Sequence, residues 1–152
     1  MVRFFSSEEE TEIVAAIQAA ELNTSGEIRV HVEVGERASA LNVAARVFKE
    51  LGMHKTADRN GVLILLEVDR REFAIIGDEG INRVVSQDFW ESERDLMQRH
   101  FKRGEFVAGI CLTIEQIGAK LKKFFPYQED DLNELPDDVS YGGPGSRPGG
   151  KV

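Results

Sequence analysis

A chain of 152 residues with 41% apolar composition can bury one sizeable core and is too short for two domains of ordinary size. Its 27 acids against 19 bases leave a net charge of −8. Half of that excess falls in residues 126–152, and no basic stripe offsets it. Such a charge pattern lacks the footprint that neutralises phosphates, which argues against nucleic acid and anionic membrane as partners and favours cations.

Taken in order, residues 7–22 read as a helix, with Ser7 as cap, Glu10 three residues on, and Ile13, Val14, Ile17 and Leu22 at helical spacing. Residues 26–34 alternate, with Ile28, Val30, Val32 and Val34 on one face and Glu27, Arg29, His31 and Glu33 on the other. This period of two predicts a half-buried strand. Helical spacing returns over 37–52 through Leu41, Ala44, Ala45, Phe48 and Leu51, with Gly52 placed to stop it, and Met53–Asn60 reads as polar loop.

Gly61–Val68 is a nearly continuous apolar run of strand length, the pattern of a central strand covered on both faces. A polar turn at Asp69–Arg71 leads into Glu72–Ile76, which predicts an antiparallel hairpin ended by Gly77-Asp78-Glu79-Gly80. Residues 81–100 hold an amphipathic helix beginning near Asp88, and residues 105–125 hold another, with Gly104 between them. The acidic, then Gly/Pro-rich, stretch 128–152 cannot bury enough surface to offset its ordering entropy and reads as a largely disordered tail outside a 1–127 domain.

The order α-β-α-β-β-α-α predicts an α/β fold, a three-layer α/β/α sandwich around a small mixed sheet built from a β-α-β crossover plus an antiparallel hairpin strand. This connectivity sends the end of the third strand to the starts of the second and first. Asp58 and Asn60 then meet Asp78 and Glu79 at one edge, with Glu27 nearby. Oxygen donors from separate segments suit a hard divalent cation, Ca²⁺ or Mg²⁺, whose charge relieves the repulsion among carboxylates.

Other chemistries find less support. The stretch lacks the EF-hand spacing, the Walker loop and the dinucleotide fingerprint. His31, His54 and His100 show no zinc spacing and read as surface or partly buried structure. The single Cys111 lies in an apolar helical pattern (Val107, Ile110, Ile114), which excludes an internal disulfide and fits a reducing compartment. No Gly-x-Ser-x-Gly elbow is present. Phe89, Trp90, Leu96, Met97 and Phe101 read as core packing before they read as a ligand groove. No apolar run approaches the length of a membrane span and no export signal is visible, so the expected setting is cytoplasmic.

Four pieces now stand in a particular order. Thr24-Ser25-Gly26-Glu27-Ile28 leads into the first strand, Asn60-Gly61-Val62-Leu63-Ile64-Leu65 begins the second, and Gly77-Asp78-Glu79-Gly80 resembles a Gly-Leu-Glu-Gly turn. Phe101-x-x-Gly104-x-Phe106-x-x-Gly109 completes the set. Over about residues 7–125 the chain thus resembles the TPM domain family of bacterial and plant thylakoid-lumen proteins. The resemblance implies the α/β/α sandwich and, in some members, divalent-cation binding and weak acid phosphatase activity. Glu79 matches the turn's acid and Asn60 the strand start, whereas Asp78 replaces a usually apolar residue. Two functions follow as expectations: a non-catalytic cation-binding module that contacts a protein partner, or a metal-assisted phosphomonoester hydrolase.

Overall fold

The computed structural model describes residues 4–35, 37–127 and 137–143. Its first helix, α1 (Ser7–Glu21), is capped one residue earlier than the spacing suggests. The Ser6 hydroxyl accepts from the Glu9 amide at 3.1 Å, and the Glu9 carboxylate accepts from the Ser6 amide at 2.8 Å. This reciprocal box satisfies two backbone donors that the first turn would otherwise leave open. The apolar stripe is unchanged by the shift, and Ile13 and Ile17 are fully buried.

The strands β1 (Glu27–Glu33), β2 (Gly61–Glu67) and β3 (Glu72–Gly77) are joined by α2 (Ala40–Glu50) and by a tight hairpin turn. β1 and β2 run parallel, with Ile28 beside Val62 and Glu33 beside Glu67, while β3 returns antiparallel with Ile76 opposite Leu63. Behind them come a single turn α3 (Glu79–Asn82), then α4 (Gln87–Lys102) and α5 (Phe106–Phe124). The helix expected to begin near Asp88 is α4, which starts at Gln87, and Asp78 caps a separate short turn ahead of it. Gly52 and Gly104, at φ +73° and +75°, end α2 and α4 in the left-handed conformation that glycine adopts without penalty.

Period-two alternation divides the sheet between two cores. Ile28, Val30, Val32, Val62, Ile64 and Leu66 pack under α1, α4 and α5, while Leu63, Leu65 and Ala74 pack under α2 through Val43, Ala44, Val47 and Phe48. The three layers expected from the element order are present. Among the described residues no helix is long and apolar enough to cross a membrane.

Two expectations change. The polar face of β1 is buried rather than solvated: Glu27, Arg29, His31 and Glu33 are all at most 4% exposed. Alternation tells which side chains share a face, and the tertiary structure decides whether that face is covered. The second change concerns the stretch 128–152, read as lying outside the fold. Ser140–Gly142 forms β4, parallel to β1, giving the sheet order β3-β2-β1-β4. Residues 128–136 and 144–152 lie outside the described residues.

β4 gains its place from specific contacts rather than from apolar area. The Val34 amide donates to the Gly142 carbonyl at 3.1 Å, Ser140 Oγ lies 2.7 Å from His31 Nδ1, and the Tyr141 hydroxyl bonds to Glu10. A Cβ on Gly142 would stand 3.0 Å from His31 Nε2 and closer still to the Glu33 carboxylate. Gly142→Val is therefore expected to lift β4 from the edge at a cost of about 1–3 kcal/mol. Amide exchange at Val34 should accelerate while amides shared by β1 and β2 stay protected; unchanged protection at Val34 would contradict the docking described here.

Candidate functional site

At the β2–β3 edge, the backbone itself stitches two loops together. The Asp78 amide donates to the Gly61 carbonyl and the Gly80 amide to the Arg59 carbonyl, each at 2.9 Å. A Cβ at position 80 would fall 2.6 Å from that Arg59 oxygen, so the approach requires glycine. The hairpin thus brings Asp58–Asn60 against Asp78–Glu79, as its topology requires.

Between these acids lies Arg59, held at φ +51°. Its Nε and one terminal nitrogen bond the two Asp78 oxygens at 2.8 and 3.0 Å, and the other terminal nitrogen reaches Glu79 at 3.4 Å. Arg83 also donates to Glu79, at 3.2 Å. Asp78 is nearly buried and additionally accepts from the Glu79 amide at 2.8 Å, which caps α3. Repulsion between Asp78 and Glu79 is thereby relieved by a guanidinium from within the chain.

Asn60, next to Arg59 in sequence, is buried. Its backbone amide donates to Thr56 Oγ1 at 3.2 Å, and its side-chain amide donates to Ser25 Oγ at 3.3 Å. Its side-chain oxygen is buried without a hydrogen-bond partner. Asp58 is exposed.

Glu27 meets this edge through its backbone, its amide donating to the Asn60 carbonyl at 3.2 Å. It stands in the polar row of β1 near Glu21, whose Oε2 accepts from the Ile28 amide at 3.1 Å. Burial pushes the Glu21 carboxyl far above the usual range, aided by its bond to Asp137 and the charges of Glu27 and Asp137, and opposed by the Ile28 amide. Among the described residues, no group of three or more His, Cys, Asp or Glu is arranged to hold a metal.

A second polar cluster, invisible in the sequence, sits farther along β1. His31 Nε2 lies 2.8 Å from Glu33 Oε1 and Nδ1 lies 2.7 Å from Ser140 Oγ, while Arg46 of α2 approaches Glu33 to 3.7 Å. An ionised Glu33 can only accept, so Nε2 carries a proton and, in the neutral ring, Nδ1 accepts from the serine hydroxyl. The order Ser-His-Glu matches that of a nucleophile, base and acid. Ser140 is only 4% exposed and fixed in a strand, however, so the cluster serves to hold β4. The i, i+2 spacing of His31 and Glu33 placed them on one face; their partner lies 109 residues away, beyond any local signal. Cys111 is no better a nucleophile, since burial and the charge of Glu12 push its thiol up.

Residues 1–120 match the model of the TPM domain. The chain belongs to the TPM domain family. Among solved structures, the NMR structure of BA42 from the psychrophilic bacterium Bizionia argentinensis is 46% identical, with a TM-score of 0.87 over 93% of this chain and 98% of that one. The N-terminal domain of a P. gingivalis protein (17% identity, TM-score 0.64, 80% of this chain and 78% of that one) shares the fold. So does the N-terminal domain of cg2496 from Corynebacterium glutamicum (13%, 0.59, 90% and 80%). No curated protein matches.

The Glu21 carboxyl in this TPM domain gives a pH dependence of definite sign. A carboxyl whose folded pKa lies above its unfolded one contributes stability at low pH and loses it as pH rises toward the folded value. Glu21→Gln keeps an acceptor for the Ile28 amide and a donor for Asp137 without the buried charge. Its melting temperature should exceed the parent's by about 3 °C or more at pH 8 and converge with it near pH 5. A gap independent of pH would exclude the assignment.

Proposed function

We propose that this TPM domain is a non-catalytic binding module that takes a divalent cation, Ca²⁺ or Mg²⁺, at the β2–β3 edge and presents that edge to a protein partner. The observation that carries this reading is the Asn60 side-chain oxygen, buried without a hydrogen-bond partner beside a loop that also bears Asp78 and Glu79. Leaving such an acceptor unsatisfied costs about 1–3 kcal/mol, and an amide oxygen with carboxylates is a donor set that hard cations accept. Asn60, Asp78 and Glu79 would hold the ion, with Asp58 completing the oxygen set from the exposed side.

Arg59 is central to this proposal. Its side chain is 40% exposed, so the guanidinium can leave Asp78 for solvent as a metal arrives. Charge in the loop is then exchanged rather than added. Glu27, buried in the sheet row, is left out of the ligand set. The alternative, a metal-assisted phosphomonoester hydrolase, has weaker support: the edge presents mainly carboxylates, which repel a phosphoryl group, and Cys111 and Ser140 are poor nucleophiles.

Thermal unfolding with Ca²⁺ or Mg²⁺ at about 5 mM tests the reading, because a ligand that binds only the folded state raises the midpoint by mass action. The midpoint should rise for the parent protein. It should not respond in Asp78→Asn/Glu79→Gln, whose metal-free fold is retained because Asn still caps α3. An equal response in the double variant moves the ligands elsewhere, and no response in the parent removes the cation altogether. Metal-dependent turnover of p-nitrophenyl phosphate that the double variant abolishes would instead support the hydrolase.

A further inference from the structure

The aromatic residues near the α4–α5 junction do not all enter the core. Trp90 and Met97 are buried, whereas Phe106 remains 37% exposed. Phe101 and Phe106 join Phe73 of β3 and Phe4 in one continuous run of rings. Successive centroids are 5.3 Å (Phe73 and Phe101), 5.1 Å (Phe101 and Phe106) and 5.5 Å (Phe106 and Phe4) apart, mostly edge to face. The run floors an open groove of about 710 Å³. This volume lies within the range of small-molecule sites, about 300–1,000 Å³. The groove sits at the turn end of the β2–β3 hairpin, opposite the edge that carries Asp78 and Glu79.

Two cations, Arg71 and Lys102, line the same groove. Both are exposed, and neither side chain has a hydrogen-bond or ion-pair partner among the described residues. The contrast with Arg70 is direct, since that side chain bonds Glu72 at 3.1 Å and the Arg37 carbonyl at 2.9 Å. Arg71 also occupies a left-handed conformation, φ +52°, where glycine or asparagine would be less strained. A strained backbone that presents an unpartnered guanidinium beside an exposed aromatic floor is a sign of a site rather than of packing.

We propose that this groove binds a small amphipathic anion, a carboxylate or sulfonate bearing an aromatic or medium-length aliphatic tail. The tail lies on Phe73, Phe101 and Phe106, and the anionic head sits between Arg71 and Lys102. Glu72, which also lines the groove, is paired with Arg70 at 3.1 Å, so the unpaired charge of the rim is that of Arg71 and Lys102, and it commits the site to an anion although the chain as a whole carries −8. The inference is independent of the cation edge and stands whether or not that edge holds a metal.

Fluorescence titration of the full chain with 1-anilinonaphthalene-8-sulfonate, in competition with decanoate and with uncharged 1-decanol, tests the proposal. Saturable one-site binding is expected, displaced by decanoate at least tenfold more effectively than by decanol. Arg71→Gln/Lys102→Gln should weaken the probe at least tenfold while its melting temperature is unchanged, and Phe106→Ala should weaken it without unfolding the domain. Arg71→Gly separates function from structure: relief of the left-handed strain should raise the melting temperature while affinity falls. Absence of saturable binding, equal affinity in the double variant, or equal displacement by decanol overturns the proposal. If the probe signal falls as the protein concentration rises and the chain sediments as a dimer, a second copy occupies the groove and the small-anion assignment is wrong.

Discussion

β2 is apolar on both faces, and a strand of this kind is stable only when helices cover each side of it. Val62, Ile64 and Leu66 point to the core under α1, α4 and α5, while Leu63 and Leu65 point to α2. That double demand sets the three layers, places α2 as the crossover from β1, and leaves the faces of the hairpin closed. Chemistry is consequently confined to the two ends of the hairpin, where loops and helix termini leave polar groups and aromatic edges accessible.

Both ends carry the same device. Among the described residues, Arg59 and Arg71 are the only non-glycine positions with positive φ, and they stand at opposite ends of the β2–β3 hairpin. Each presents a guanidinium where a turn would more cheaply hold glycine or asparagine. At one end the guanidinium bonds Asp78 and Glu79 within the chain; at the other it is unpartnered on the rim of the aromatic groove. Backbone strain kept at two arginines ties the local conformation of the hairpin to the charge of both candidate sites.

The buried polar row on β1 follows a different logic. Burying Glu33 and His31 is tolerable because each finds partners from a distant element: Ser140 for the ring, Arg46 near the carboxylate. The partner on β4 then becomes part of the fold, held at the sheet edge by hydrogen bonds and by glycine at the point of closest approach. Polar burial here specifies which segment closes the sheet, and the third-strand alternative of leaving β1 as an exposed edge is avoided.

The sequence by itself determined the elements and their faces. Alternation over Ile28–Val34, the apolar run after Gly61 and the helical spacing of Ile13 and Ile17 are local patterns, and local periodicity is what separates strand from helix. Connectivity then sufficed to bring Asp58–Asn60 to Asp78–Glu79, since a hairpin fixes where its own ends lie. The tertiary structure alone decided three things: that Arg59 stands between those carboxylates, that the charge of Glu27 acts on Glu21, and that Ser140–Gly142 completes the sheet against His31. Each of these depends on side-chain direction or on pairing across many residues, and neither leaves a periodic trace in the chain.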